Sequence, residues 1–214
     1  MRVLVRCYAV AFAALAGFFA LGYFLRSNGE PATFDGWERT LFDHSTLVAW
    51  WITWACYPQA LIPICLVLLI LAWRLPVWRS RILLSIVSLI VSWRAADYFQ
   101  HFFARPRPLD WVVKHETSFS YPSSHAAIVT GFYVLWAVLL YASELPKRTR
   151  AAAASLLMLF SIAILWSRLA LGAHFVTDLA GGILLGVAVV FMSLGLYAAG
   201  IFGRPAGRFS AAAE

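Results

Sequence analysis

The sequence predicts an all-α fold: a polytopic membrane helix bundle of six transmembrane helices, with a short interfacial amphipathic segment between the first two. Three observations predict it. Of 214 residues, 62% are hydrophobic and 13% charged, with a mean hydropathy of +0.78, a balance that suits lipid as the solvent. The apolar residues fall in runs long enough to cross about 30 Å of hydrocarbon. Lysine and arginine collect in alternate connecting segments, as the positive-inside bias requires. There is room for roughly six spans of about 20 residues with short loops, so residues 1–214 read as a single integral-membrane domain with no separate soluble part.

The first span follows Arg2 and Arg6 and runs from Cys7 to about Leu25, its N-terminus inside. The run is long and the sequence after it is a poor cleavage region, so no cleaved signal peptide is expected. Arg26 to His44 is polar, but Phe34, Trp37, Leu41 and Phe42 recur at near-helical spacing, which gives the interfacial element or a rim under which a lipid enters. A second span covers about Thr46 to Trp73, with Trp50, Trp51 and Trp54 in an aromatic belt at its start. Pro58 and Pro63 predict a kink in it, because proline removes a backbone hydrogen bond and clashes one turn back.

Arg74, Arg79 and Arg81 crowd the next loop. The third span runs from about Ile82 to Phe103, and the loop from Ala104 to Tyr121 carries Arg105-Pro106-Arg107-Pro108. Tyr121-Pro122-Ser123-Ser124-His125 opens a fourth span, about Ser123 to Tyr141. Lys147, Arg148 and Arg150 precede a fifth, about Ala151 to Trp166, and a sixth runs from about Phe175 to Phe202. Gly182 and Gly186 on the last span form a small-xxx-small face suited to helix packing. Cys7, Cys56 and Cys65 lie in apolar stretches without metal-type spacing, so they read as small buried hydrophobes, and no disulfide framework is expected.

With the N-terminus inside, the inner segments hold Arg2, Arg6, Arg74, Arg79, Arg81, Lys147, Arg148, Arg150, Arg204 and Arg208. Arg26, Arg39, Arg105, Arg107, Lys114 and Arg168 fall outside with most of the acids. Both termini are therefore expected in the cytoplasm. A net charge of +7 then serves topology and anion binding, and no nucleic-acid partner is expected. This topology also places three polar stretches on the same outer side: the Arg-Pro loop, the Tyr121–His125 turn and Ser167 to Asp178.

That convergence gives the stretches a chemistry. His174 and Asp178 are four apart, so a helix starting near Ala173 would let the carboxylate hold one imidazole nitrogen and leave the other as a nucleophile. Alone, such a pair is more often a structural hydrogen bond, but ionisable residues at the rim of a membrane bundle are costly and mark functional sites. Arg168 and Arg107 are fixed cations suited to a phosphate, although arginines at helix ends also snorkel to headgroups. Ser123 or Ser124 is a natural N-cap whose free first-turn N–H groups suit an anion, and His125 in that turn suits protonation of a leaving alkoxide. Asp97 reads as a structural partner of Arg94 or as support for the site from one turn below Gln100 and His101. His44 and His115 have no visible partner.

Taken together, the three stretches resemble the type-2 phosphatidic acid phosphatase superfamily, membrane lipid phosphatases related to vanadium haloperoxidases. The family pattern is Lys-x6-Arg-Pro, then Pro-Ser-Gly-His, then Ser-Arg-x5-His-x3-Asp. The third motif matches at Ser167, Arg168, His174 and Asp178. The second matches at Pro122, Ser123 and His125 with Ser124 in place of glycine, and the first at Arg107 and Pro108 with Gln100 at the lysine position. The motifs lie within residues 97–178, and the resemblance covers about the last two thirds of the chain.

The resemblance implies catalytic roles for His174 (nucleophile, forming a phosphohistidine), Asp178 (its orienting partner) and His125 (acid to the leaving group). It implies a phosphate bound by Arg107, Arg168, Ser123, Ser124 and, more weakly, Gln100. Arg105 or His101 could compensate for the lost lysine charge, with Asp97 as further support. It calls for no metal and no cofactor. The implied substrates are lipid phosphates or pyrophosphates at the outer face of a bacterial inner membrane: undecaprenyl pyrophosphate, phosphatidylglycerol phosphate, phosphatidic acid or lipid A 1-phosphate. The alternatives are a lipid phosphotransferase of the same superfamily, a transporter and a catalytically inactive lipid-binding relative.

Overall fold

The structure is a computed structural model that describes residues 2–29, 46–108 and 116–201. Among these residues it contains seven helices and no strands: α1 (Arg2–Asn28), α2 (Thr46–Thr53), α3 (Pro58–Arg74), α4 (Pro76–Phe103), α5 (Ser124–Tyr141), α6 (Lys147–Ala170) and α7 (Val176–Ala198). By length and composition, α1, α4, α5, α6 and α7 can each cross a membrane, and the α2–α3 pair makes the sixth span if its bent halves act as one. The predicted fold class therefore stands.

The differences from the sequence reading lie at the helix ends. α1 continues through Arg26 to Asn28, into the stretch expected to be interfacial. The remainder of that stretch lies outside the described residues, as do His44, Lys114, His115, Arg204 and Arg208. α4 begins at Pro76, so the basic loop after α3 shrinks to Leu75, which ends one helix and starts the next. Proline needs no backbone donor at the first helical position, so Pro76 starts a helix there without losing a hydrogen bond.

The expected kink is present. A single 3₁₀ turn (Trp54–Cys56) and an extended Tyr57 separate α2 from α3, and Pro58 starts α3 at 45° to its predecessor. Pro63, by contrast, stays inside α3.

α5 is the centre of the bundle: two-thirds of its span is buried, against 17% for α1. Its side chains enter four apolar clusters, one of them through Ala126 with Leu169 of α6 and Leu179 of α7. Ile128, Phe132 and Tyr133 pack with Leu61 of α3, Leu89 of α4 and Ile164 of α6. Ala127 joins Phe18 of α1, Phe103 of α4 and Leu185 of α7, and Leu135 and Leu139 join Leu84 of α4 and Tyr197 of α7. Residues Val129–Val134 wind as a π-helical turn, and the carbonyl of Gly131 in it accepts a hydrogen bond of 2.7 Å from the Ser88 hydroxyl of α4. Turns of this kind frequently lie beside functional sites.

The glycine face of α7 packs on α5, as the sequence suggested. A Cβ at Gly182 would collide with the carbonyl oxygen of Ser123 and lie 2.6 Å from the Ala126 methyl, so a larger residue forces the two helices apart. This close approach brings the start of α7 to the start of α5, where the Ser123 N–H donates to the Asp178 carbonyl at 3.0 Å. The C-terminal ends of α4 and α6 meet the N-terminal ends of α5 and α7 at this one end of the bundle.

Candidate active site

The sequence Arg105-Pro106-Arg107-Pro108 leaves α4 through a left-handed turn at Ala104 (φ 50°), whose N–H donates to the Gln100 carbonyl at 2.9 Å. Each proline biases the residue before it toward extended backbone, where side chains two positions apart lie on the same side. Both arginines accordingly face the segment that carries His174 and Asp178, and each takes a different partner there.

Arg105 is buried and donates through Nη1 to the Oδ1 atom of Asp178 and to Thr177 Oγ1 at 2.8 Å. Its guanidinium also lies over the Phe175 ring, 4.5 Å from the centroid. Arg107 instead reaches the catalytic candidate His174, with Nη1 3.3 Å from the imidazole Nε2. Three backbone carbonyls and a hydroxyl fix it: Ser118 O at 2.7 Å, Ala173 O at 2.6 Å, Phe119 O at 3.2 Å and Ser118 Oγ at 2.9 Å. Burial pulls its pKa down to about 10, which leaves the group cationic at neutral pH.

The helical His–Asp pair of the sequence reading takes a different form. A turn through Gly172 (φ 59°) and an extended Phe175 delay α7 until Val176, so His174 sits in the preceding loop. Its Nδ1 lies 2.9 Å from the Ser120 carbonyl oxygen and 3.6 Å from Asp178 Oδ2. A carbonyl only accepts, so Nδ1 carries the proton and Nε2 keeps its lone pair toward Arg107. The Asp178 carboxylate also accepts from the Phe175 N–H at 2.9 Å and the Ser120 hydroxyl at 3.4 Å.

Arg168, at the end of α6, is 1% exposed. It donates to Thr53 Oγ1 at 2.7 Å and to Glu116 Oε1 at 3.1 Å, and its buried Nε has no hydrogen-bond partner among the described residues. Glu116 Oε1 also accepts from the Tyr57 hydroxyl at 3.0 Å, and the Tyr57 ring meets the His125 ring edge-on at 5.1 Å. A cavity of about 140 Å³ opens among these groups, lined by Arg107, Arg168, His174, His125, Ser124 and Glu116. Two cations, two imidazoles and the first turn of a helix can stabilise an oxyanion and exchange a proton with it.

Other expected residues fall elsewhere. Ser123 caps α5, its hydroxyl accepting from the Ala126 N–H at 3.4 Å, and is not among the residues lining the cavity. Gln100 is buried and donates from Nε2 to the Pro122 carbonyl at 2.9 Å, tying α4 to the turn before α5. His101 is exposed and bonds back to the Asp97 carbonyl at 2.8 Å, while Asp97 pairs with Arg94 at 3.6 Å on the same open face. Neither supports the cavity.

Glu116, Tyr57 and Thr53 carry no motif that would single them out in the sequence. The one signal is an acid placed in the loop between the Arg-Pro stretch and the turn before α5.

A polytopic helix bundle with a buried histidine, carboxylate and arginine cluster at one end is the architecture of a multi-pass membrane protein. Residues 81–199, more than half of the chain, match the PAP2 superfamily, and the chain belongs to that family. A curated relative from Escherichia coli (strain K12), “Putative undecaprenyl-diphosphatase YbjG”, is 30% identical over 105 residues, which cover 47% of this chain and 47% of that protein. The chain thus matches about half the length of that relative. The fold is that of a transmembrane PAP2-type phosphatidylglycerolphosphate phosphatase from Bacillus subtilis, whose crystal structure superposes with a TM-score of 0.72 over 87% of this chain and 95% of that one at 21% identity.

The geometry gives Gln100 a testable role. Gln100→Ala removes the donor to a buried carbonyl, which typically costs about 1–3 kcal/mol. The variant is expected to melt earlier in detergent while KM for substrate stays unchanged; a raised KM at unchanged stability places the side chain in the phosphate site instead.

Proposed function

We propose that this protein is an integral-membrane phosphatase that hydrolyses a lipid phosphate or diphosphate through a phosphohistidine on His174. The observation that carries the reading is the approach of Arg107 to within 3.3 Å of His174 Nε2, which places a cation beside the lone pair of an imidazole of fixed tautomer. In the first step that lone pair attacks phosphorus and the P–O bond to the lipid breaks. His125 gives its proton to the departing oxygen. A water then attacks the phosphohistidine, His125 takes back a proton, and inorganic phosphate leaves with His174 restored. Arg107 and Arg168 balance the charge on the phosphoryl oxygens, which is the main demand of phosphoryl transfer. Asp178 acts by holding the loop that carries His174.

The Escherichia coli relative is named for undecaprenyl diphosphate, which we place first among substrates. The Bacillus subtilis enzyme is named for phosphatidylglycerol phosphate, which we place second. The test is phosphate release by detergent-purified protein in EDTA, with these two lipids, phosphatidic acid and a lipid A preparation. Release in EDTA with the ranking stated supports the reading. Release that requires an added acceptor alcohol makes the protein a phosphotransferase, and no release from any lipid overturns the reading.

The charge bias supports a site on the outer face of a bacterial inner membrane, with both termini in the cytoplasm. Thr117 is exposed beside the cavity loop. Thr117→Cys is expected to react with a membrane-impermeant maleimide in intact spheroplasts; reaction only after lysis reverses the topology.

The acid limb of the rate profile follows from His174. Burial, and then the positive charges of Arg107 and Arg168, hold its pKa well below the ordinary 6.5. Attack requires the neutral ring, so this group keeps its activity as pH falls through 6.5 and loses it only at lower pH. Once the ionisation of the substrate is accounted for, kcat/KM is expected to show no His174-dependent loss near 6.5; a limb centred there refutes the assignment.

A further inference from the structure

The outward face of α4 carries charge where the bundle meets lipid. Val87, Val91, Arg94, Tyr98 and His101 recur at spacings of four and three, which sets them in one row along the helix. Val87, Val91 and Tyr98 are each 40% exposed or more, and the Arg94 side chain is 67% exposed. Arg94 lies nine residues before the end of α4 at Phe103, about 14 Å down at 1.5 Å per residue. With that end at the edge of the hydrocarbon, Arg94 is close to the middle of its roughly 30 Å.

Among the described residues the guanidinium meets groups of its own helix, Asp97 Oδ2 at 3.6 Å and the Trp93 ring at 5.9 Å. The first distance is too long for a good hydrogen bond, and the Asp97 side chain is itself 44% exposed. Charges at such depth are costly in lipid, and they are retained where they pair or face a bundle interior. We infer that this face of α4 docks on the same face of a second copy of this chain, with Arg94 of each copy paired to Asp97 of the other.

Symmetry makes the match. Two copies in one membrane share an orientation, so a two-fold axis along the membrane normal sets their α4 helices side by side with equal residues at equal heights. Arg94 and Asp97 differ by roughly 4.5 Å in height. Each arginine therefore meets the carboxylate one turn above it across the axis, and the four charges alternate in sign around it. Val87 and Val91 continue the contact toward the start of α4, and Tyr98 toward its end. Polar side chains between membrane helices form links of this kind and fix their register. An anionic lipid headgroup would match Arg94 but set a second negative charge beside Asp97, so a second copy fits the patch better. None of these residues lines the polar cavity.

The test uses two differently tagged full-length copies, coexpressed, solubilised in mild detergent and recovered through one tag. Wild type should recover wild type. Arg94→Asp makes the pair wholly acidic and Asp97→Arg makes it wholly basic, so each is expected to recover its own kind at least about tenfold less well. Arg94→Asp coexpressed with Asp97→Arg restores both contacts and should recover as wild type does. That rescue separates pairing from misfolding, because a variant that had failed to fold would not regain a partner. Wild type that does not recover wild type overturns the inference. Full self-recovery of either variant, or no recovery of the mixed pair, overturns it as well.

A second measurement locates the contact in native membranes. Tyr98→Cys is expected to give a disulfide-linked dimer on mild oxidation, above the background set by the native cysteines, of which Cys7 and Cys56 are buried. Leu156→Cys, on the exposed face of α6, should not. Cross-linking through Leu156→Cys alone places the interface elsewhere and overturns the α4 contact. A wild-type monomer that loses bound phosphatidylglycerol on Arg94→Asp substitution assigns the patch to a lipid headgroup and overturns the second copy.

Discussion

His174→Ala is expected to abolish phosphate release, with kcat lowered by about 10⁴-fold or more, as for other residues that carry the bond-making step. The loss should be chemical rather than structural. His174 lies in a loop between α6 and α7, so its removal interrupts no helix, and the deleted contacts are the hydrogen bond to the Ser120 carbonyl and the approach of Arg107 to Nε2. That buried acceptor costs about 1–3 kcal/mol when it loses its partner. Thermal unfolding and helical content in detergent should therefore stay near wild type. Brief reaction with a radiolabelled lipid phosphate, quenched in base, should leave label on wild-type protein and none on the variant. Substantial residual hydrolysis by His174→Ala removes the phosphohistidine from the mechanism.

Arg105→Leu is expected to produce the second largest effect, through a different route. Arg105 and Asp178 form an ion pair with both side chains almost wholly buried. Removing one partner strands the other charge, at a typical cost of about 3–5 kcal/mol. Asp178 also holds the Phe175 N–H and faces the His174 ring, so its displacement should disorder the loop that carries the nucleophile. The expected outcome is a much lower melting temperature and a lower kcat with little change in KM, because Arg105 meets Asp178 and not the cavity wall. Arg105→Leu combined with Asp178→Asn removes both charges, and its loss of stability should be clearly smaller than the sum of the two single losses. Additive losses show that the pair is not coupled, and a raised KM places Arg105 on the substrate.

What could be read from the sequence and what could not divide along a physical line. Helix spans and the Pro58 kink depend on local composition and backbone chemistry, and they are written in consecutive residues. The glycine face of α7 was legible for the same reason. The convergence of Arg107, His125, Arg168 and His174 on one cavity followed from topology, because alternating spans bring alternate loops to one side. The partners inside the cavity were not legible. Thr53 is 115 residues from Arg168 and Glu116 is 52 away, so no periodicity links them. Gln100 and Ser123 stand at phosphate-binding positions of the family pattern, but sequence does not show that Gln100 also donates to the Pro122 carbonyl or that Ser123 caps α5. Arg105 was a secondary candidate because sequence order does not show which of two neighbouring arginines faces the carboxylate.

The separation of those two arginines by a single proline sets a register for the whole assembly. One guanidinium braces the carboxylate and the other meets the imidazole only because they are two positions apart on an extended chain. Inserting or deleting one residue between them would rotate one cation to the opposite side and disarm one half of the assembly. The spacing in this tetrapeptide is thus a register in which a slip of one position costs one of the two contacts.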